Sequence, residues 1–171
     1  MISIFGIISI TVAILSIAAI VLHNRVMGKR APVDTYLAKL EELAHDRIEM
    51  LYQYSRPGSE LRELCDEYID QDLESILKAL PEIDRAFDDE KEAGNLVISE
   101  PLVEDDPDTD ADEYVTMAGL ESNANAIRET TVALNQAIEI YNDYITTRPL
   151  EKLMAMVLGL SVEDALCYFE D

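Results

Sequence analysis

Residues 113–147 read EYVTMAGLESNANAIRETTVALNQAIEIYNDYITT. Within them Met117, Leu120, Ala124, Ile127, Thr131, Leu134, Ile138, Tyr141 and Ile145 step alternately by three and four positions. An apolar stripe at that period runs down one side of an α-helix and suits lengthwise packing against another helix. At about 1.5 Å per residue the helix extends on the order of 52 Å. Such a seam needs partners, and two upstream stretches supply them. Leu37, Leu40, Ala44, Ile48 and Leu51 form one stripe, and Asp34, after Pro32, is its expected N-cap; this predicts a helix to about Tyr54. Pro57-Gly58 predicts a break, with Ser59 placed to cap a restart. Leu61, Cys65, Ile69, Leu73, Ile76 and Leu80 form the second stripe, expected to end before Pro81. The fold expected is all-α, an antiparallel bundle of long helices.

Upstream of the bundle, Ile2–Leu22 (ISIFGIISITVAILSIAAIVL) holds no charge and no proline. Its length, roughly 31 Å as a helix, matches a hydrocarbon core of about 30 Å. Ser3, Ser9, Thr11 and Ser16 can bond back to their own helix carbonyls, so they cost little in lipid. A cleaved signal peptide would place basic residues before the apolar run and a small-residue cleavage site after it. Here the basic residues Arg25, Lys29 and Arg30 follow the run. By the positive-inside rule they set the topology: N-terminus outside and C-terminal body cytoplasmic, in a single-pass cell-membrane protein. The domains expected are an anchor over 1–23, a basic juxtamembrane linker over 24–33 and a cytoplasmic helical bundle over 34–171.

The whole chain has 171 residues, with 13 Lys+Arg against 35 Asp+Glu and a formal charge of −22. Nucleic-acid binding through a basic surface is thereby excluded, because phosphate neutralisation needs clustered Lys/Arg. The six glycines never lie closer than 22 positions apart, so no glycine-rich phosphate loop exists. Residues 82–113 hold 14 acidic residues and only Arg85 and Lys91 as cations. Repulsion at that density, with Gly94, Pro101 and Pro107, predicts a solvated, disordered insert near 95–112, preceded by a helical turn or two over 83–93. The carboxylates alternate somewhat as in a calcium loop, but the mid-loop glycine and the closing Glu are missing.

Pro149 is expected to end the long helix. The following LEKLMAMVLGL of 150–160 is too short to span a bilayer; it is expected to cap the bundle's open end, the alternative being to dip into the membrane interface. Tyr168 and Phe169 are then placed to dock on the bundle.

Little of this carries catalysis. Glu42-x-x-His45 has the spacing used in carboxylate-bridged di-iron bundles, but those need a second such pair, and the only other histidine is His23. Cys65 lies on an apolar stripe, where a thiol behaves as a small hydrophobe, and Cys167 has no histidine near it in sequence. No catalytic residue, cofactor or metal ligand is assigned. A metal-dependent enzyme or regulator using His45 and neighbouring carboxylates is the alternative. Asn135 and Asn142, one heptad apart, are expected to bond across to a neighbouring helix and fix its register, or to form a partner-binding face with Arg128.

Asn125-x-Ile127, Leu134-Asn135-Gln136-Ala137-Ile138-x-x-Tyr141-Asn142-x-x-Ile145, Pro149 and Tyr168-Phe169-Glu170 together resemble the C-terminal part of the LemA family. Leu80-Pro81-Glu82-Ile83 is similar to that family's Y-P-x-L element. The chain departs from it at Pro57-Gly58, in the acidic insert, and in a final apolar segment without Phe-Gly-Phe or basic residues. The resemblance implies a membrane-anchored antiparallel bundle with no established enzymatic activity or cofactor. The partners expected are the lipid bilayer and an unidentified protein or a second copy of the chain.

Overall fold

The computed structural model describes residues 4–96 and 117–166. Among these the chain forms five α-helices and no strand: α1 Ile4–Tyr54, α2 Glu60–Tyr68, α3 Leu73–Glu92, α4 Met117–Thr147 and α5 Pro149–Val157. The all-α class is therefore as the periodicities predict. Residues 97–112 of the acidic stretch, and Cys167, Tyr168 and Phe169, lie outside the described residues.

α1 is one helix long and apolar enough to cross a membrane. Its most apolar window has a mean hydropathy of 2.7 and none of it is buried. Phe5, Ile14 and Leu15 are each at least 60% exposed, so this part of α1 has no protein core to enter. Thr11 Oγ1 donates to the Ile7 carbonyl at 3.0 Å, which satisfies the hydroxyl within the helix.

The boundary expected at Asp34 is corrected: α1 continues through 24–33 and through Pro32. Pro32 has no N–H for the Gly28 carbonyl, one turn before it. Both residues are exposed, and a Cβ on Gly28 would meet nothing within 4 Å, so water reaches that acceptor without opening a core. Asp34 caps nothing; its carboxylate accepts from Arg30 Nε at 2.7 Å.

Two compact units divide the chain, and α1 and α4 contribute to both. The first comprises Met1–Leu37 and Val132–Leu166. In it α1 and α4 run antiparallel, as the Arg30–Tyr141 and Lys29–Tyr144 contacts show. Val26, Val33, Leu134, Ala137, Ile138, Tyr141, Ile145 and Ala155 are buried apolar residues of this unit. Pro149 opens α5 at a position whose N–H needs no helical partner. Gly159, at φ +69°, closes it, with Leu160 N–H returning to the Ala155 carbonyl at 2.9 Å. Residues 160–166 leave the helix. The capping role expected of 150–160 is not what α5 does with its large apolar side chains: only Glu151 and Ala155 are buried, while Leu150, Leu153, Met156 and Val157 face outward.

The second unit, within Ala38–Thr131, buries Leu40, Ala44, Ile48 and Leu51 of α1, Leu61 and Cys65 of α2, Ile76, Leu80, Ile83 and Phe87 of α3, and Leu120 and Ile127 of α4. Gly58 adopts φ +80° in the turn, and Ser59 caps α2 by accepting from Arg62 N–H at 3.2 Å. The second stripe is two helices rather than one, because Asp72 caps α3 by accepting from Ser75 N–H at 3.0 Å. α3 also passes through Pro81 instead of ending before it. A proline inside a helix costs roughly 3 kcal/mol. Ile83 and Phe87, buried beyond it, return about 1.5–3 kcal/mol each, so continuation wins. Asn95 and Leu96 extend the order past α3: Arg56 Nη1 donates to Asn95 Oδ1 at 3.1 Å, and Leu96 is buried.

Along α4 the seam residues Leu120, Ile127, Thr131, Leu134, Ile138, Tyr141 and Ile145 are buried, Ala124 is half-buried and Met117 is exposed.

Candidate functional site

Asn135 and Asn142 stand two helical turns apart on one face of α4, about 10.5 Å along its axis. Each amide closes a pair of hydrogen bonds with one main-chain residue of the segment after α5. Asn142 Nδ2 donates to the Glu163 carbonyl at 2.8 Å, and Glu163 N–H donates to Asn142 Oδ1 at 3.0 Å. Asn135 Nδ2 donates to the Leu166 carbonyl at 2.7 Å, and Leu166 N–H donates to Asn135 Oδ1 at 2.9 Å. Three residues of extended chain span at most about 10–11 Å, the same distance as two helical turns. A heptad pair of amides thus fits an extended strap gripped at every third residue. The partner expected was a neighbouring helix; a helix has its own N–H and C=O groups engaged, whereas 160–166 has both to offer.

Glu163 is also held by its side chain, which pairs with Arg30 Nη1. The Arg30 guanidinium lies 5.5 Å from the Tyr141 ring centre while its Nε engages Asp34. Partial burial disfavours its charge, but hydrogen bonding and attraction from Glu163 and Asp34 outweigh that and hold its pKa above the ordinary arginine value. Burial also pushes the Tyr141 phenol up, with Arg30 pulling the other way. One helical turn along, the Tyr144 ring faces two cations, Lys29 Nζ at 5.9 Å and the Arg148 guanidinium at 4.8 Å from its centre. Its hydroxyl lies 3.5 Å from Oε1 of Glu151, which is only 8% exposed. Lys29, Glu139, Ile140, Asp143, Tyr144 and Arg148 line a shallow groove there. These groups orient main chain and charge.

In the second unit, Arg47 is buried and donates to Asp84 Oδ1 through Nε and Nη2, at 3.1 and 2.8 Å, and to the Leu120 carbonyl at 2.6 Å. Asn123 Nδ2 donates to the Leu43 carbonyl at 3.1 Å. The contacts 43 to 123 and 47 to 120 show that α1 and α4 run antiparallel here as well. His45 Nδ1 lies 2.9 Å from the Glu41 carbonyl of its own helix, a geometry that fits the tautomer with its proton on Nδ1. Among the described residues no group of three or more His, Cys, Asp or Glu gathers as metal ligands. Burial, then Asp66, pushes the Cys65 thiol up to about 12, so it carries almost no thiolate near neutrality.

Of the residues singled out by sequence, Asn135, Tyr141, Asn142 and Arg30 come together in the first unit with the strap, and Lys29 lies beside them at Tyr144. Pro149 begins α5, Arg25 is exposed on α1, and Arg128 lies on the exposed side of α4 in the second unit. Glu163, Leu166 and Glu151 were not singled out. The strap contributes main-chain atoms, which leave no trace in side-chain identity, and an inward Glu on an apolar helix reads as a surface residue.

No family model, no curated protein and no solved structure matches this chain.

Proposed function

We propose that the chain is a non-catalytic, membrane-anchored helical-bundle protein of the LemA type, an interaction or scaffolding module at the cytoplasmic face. The observation carrying this reading is the N-terminal part of α1, whose large apolar side chains from Phe5 to Val21 are exposed along a charge-free stretch. Water is a poor solvent for that surface and a bilayer a good one. Arg25, Lys29 and Arg30 behind it favour a cytoplasmic body. Since both amides hold the chain's own strap, partner contact passes to the strap's outward side and the polar flank of α4 that carries Arg128. The acidic stretch near 95–112 supplies electrostatic attraction.

Crosslinking from native membranes tests the reading, comparing intact protein with a variant lacking residues 95–112. A specific protein crosslinked to the first and lost or weakened in the second supports it; no crosslinked protein, and no self-crosslink, overturns it. A reporter fused after Asp171 is expected to be active in the cytoplasm. Stoichiometric iron, zinc or manganese surviving dialysis would displace the non-catalytic reading in favour of His45 with its neighbouring carboxylates.

A further inference from the structure

α5 presents an apolar face that the described residues leave uncovered. With 3.6 residues per turn, Leu153 lies across the helix from the buried pair Glu151 and Ala155. Met156, Pro149, Leu153, Val157 and Leu150 fill an arc of about 120° around it. Leu150, Leu153, Met156 and Val157 are 65, 59, 68 and 73% exposed. The one acid of α5, Glu151, is turned inward beneath Tyr144, so the exposed charge of this helix is the cation Lys152.

The first unit places this face at a definite height along α1. Lys29 is level with Tyr144, and it lies seven residues, about 10 Å, beyond Leu22. From Tyr144 the antiparallel α4 runs three more residues back toward the apolar segment, about 4.5 Å, before α5 begins. α5 therefore starts about 6 Å from the end of the apolar run. The headgroup layer on each side of a hydrocarbon core is roughly 5–8 Å thick. Arg25, Lys29, Arg148 and Lys152 lie at or near this level with Asp143 as the exposed acid beside Tyr144, an excess of cations in a chain whose net charge is −22.

We propose that α5 is an interfacial helix. Its Leu150, Leu153, Met156 and Val157 face enters the headgroup–acyl boundary of the bilayer that receives residues 2–22, and the four cations meet anionic lipid headgroups. Exposed apolar area next to a bilayer gains by entering it, and each nearby cation adds attraction to an anionic surface. Glu151 is turned away from the apolar arc, so the arc itself carries no charge. The inference rests on residues 2–22 spanning the membrane.

The test uses full-length protein with Cys167→Ser, reconstituted in vesicles of phosphatidylcholine mixed with phosphatidylglycerol. An environment-sensitive fluorophore is attached at Leu153→Cys, at Leu15→Cys in the span, or at Glu139→Cys on the exposed side of α4. The expected result is a blue-shifted emission at 153, quenched by lipids carrying a nitroxide near the headgroup, with 139 unshifted and unquenched and 15 quenched only by deep nitroxides. Adding Val157→Glu is expected to abolish quenching at 153 while 15 is unchanged. If 15 is quenched and 153 reports water, or reports an apolar site that no lipid quencher reaches, the interfacial inference fails and the span survives. If 15 escapes deep quenchers, the span itself fails and takes the inference with it.

Discussion

The side-chain amide of Asn142 and the main chain of Glu163 exchange a reciprocal pair of hydrogen bonds, with N···O distances of 2.8 Å in one direction and 3.0 Å in the other. Removing the amide leaves a donor and an acceptor to water. At about 0.5–1.5 kcal/mol per bond, Asn142→Ala is expected to cost about 1–3 kcal/mol. Amide exchange at Glu163 checks it, and protection there should fall. Asn142→Asp should cost more, because a carboxylate oxygen replaces the donor and faces the Glu163 carbonyl. Unchanged exchange in both variants would show that the strap is held by something else.

Leu134 is fully buried in the α4 seam. Leu134→Ala is expected to destabilise by about 2–5 kcal/mol, transfer and cavity terms together. Urea unfolding of the detergent-solubilised protein measures it; a change below about 0.5 kcal/mol is what a solvent-facing leucine gives.

Arg47 serves two acceptors at once, the Asp84 carboxylate and the Leu120 carbonyl. Its side chain is 8% exposed and that of Asp84 27%, so the pair is only partly screened. Arg47→Met is expected to cost about 3 kcal/mol, the lower end for breaking a buried pair from one side. Arg47→Lys should recover little, because an ammonium cannot reproduce the two-atom grip on Asp84 together with the reach to Leu120. Full recovery by lysine would show that charge alone matters there.

Two glycines should respond in opposite directions. Gly28 lies inside α1 with open space where a Cβ would stand, so Gly28→Ala is expected to stabilise by about 0.5–1 kcal/mol. Gly58 sits at φ +80°, a conformation costly for any side chain. Gly58→Ala is expected to destabilise by about 1–2 kcal/mol. Thermal midpoints of the two variants, measured side by side, decide it.

Cys65 supplies a pH dependence with a defined sign. Folding raises the thiol from about 9 to about 12, chiefly by burial. A folded-state pKa above the unfolded one gives stability that is complete below the unfolded value and lost between about 9 and about 12. With Cys167→Ser, native protein at pH 8 is expected to resist alkylation, and protein in denaturant to react freely. Rapid native alkylation would contradict the burial.

The seam of α4, the Pro57-Gly58 break and the Ser59 cap were legible in sequence because each is a local rule: a period, a left-handed turn, a side chain reaching three residues ahead. Continuity through Pro32 and Pro81 was not. A proline penalty is local, but what offsets it, an exposed Gly28 in one case and buried Ile83 and Phe87 in the other, is set by the surroundings. Asn135 and Asn142 were recognisable as a matched pair while their partner was not, since main-chain atoms at 163 and 166 are common to every residue type but one. Arg47 escaped notice because a lone cation on a polar-looking turn gives no sign of the carbonyl at Leu120 that it reaches.

That exception sets a rule for how this molecule can vary. Asparagine fingers that hold only the peptide backbone are indifferent to the side chains passing through them. Proline alone, which has no N–H to give, is barred from 163 and 166. Every other substitution there keeps the main-chain bonds to the two amides available, and at 163 it gives up only the separate Glu163–Arg30 pair, so the strap's outer face is free to acquire new specificities without leaving that grip.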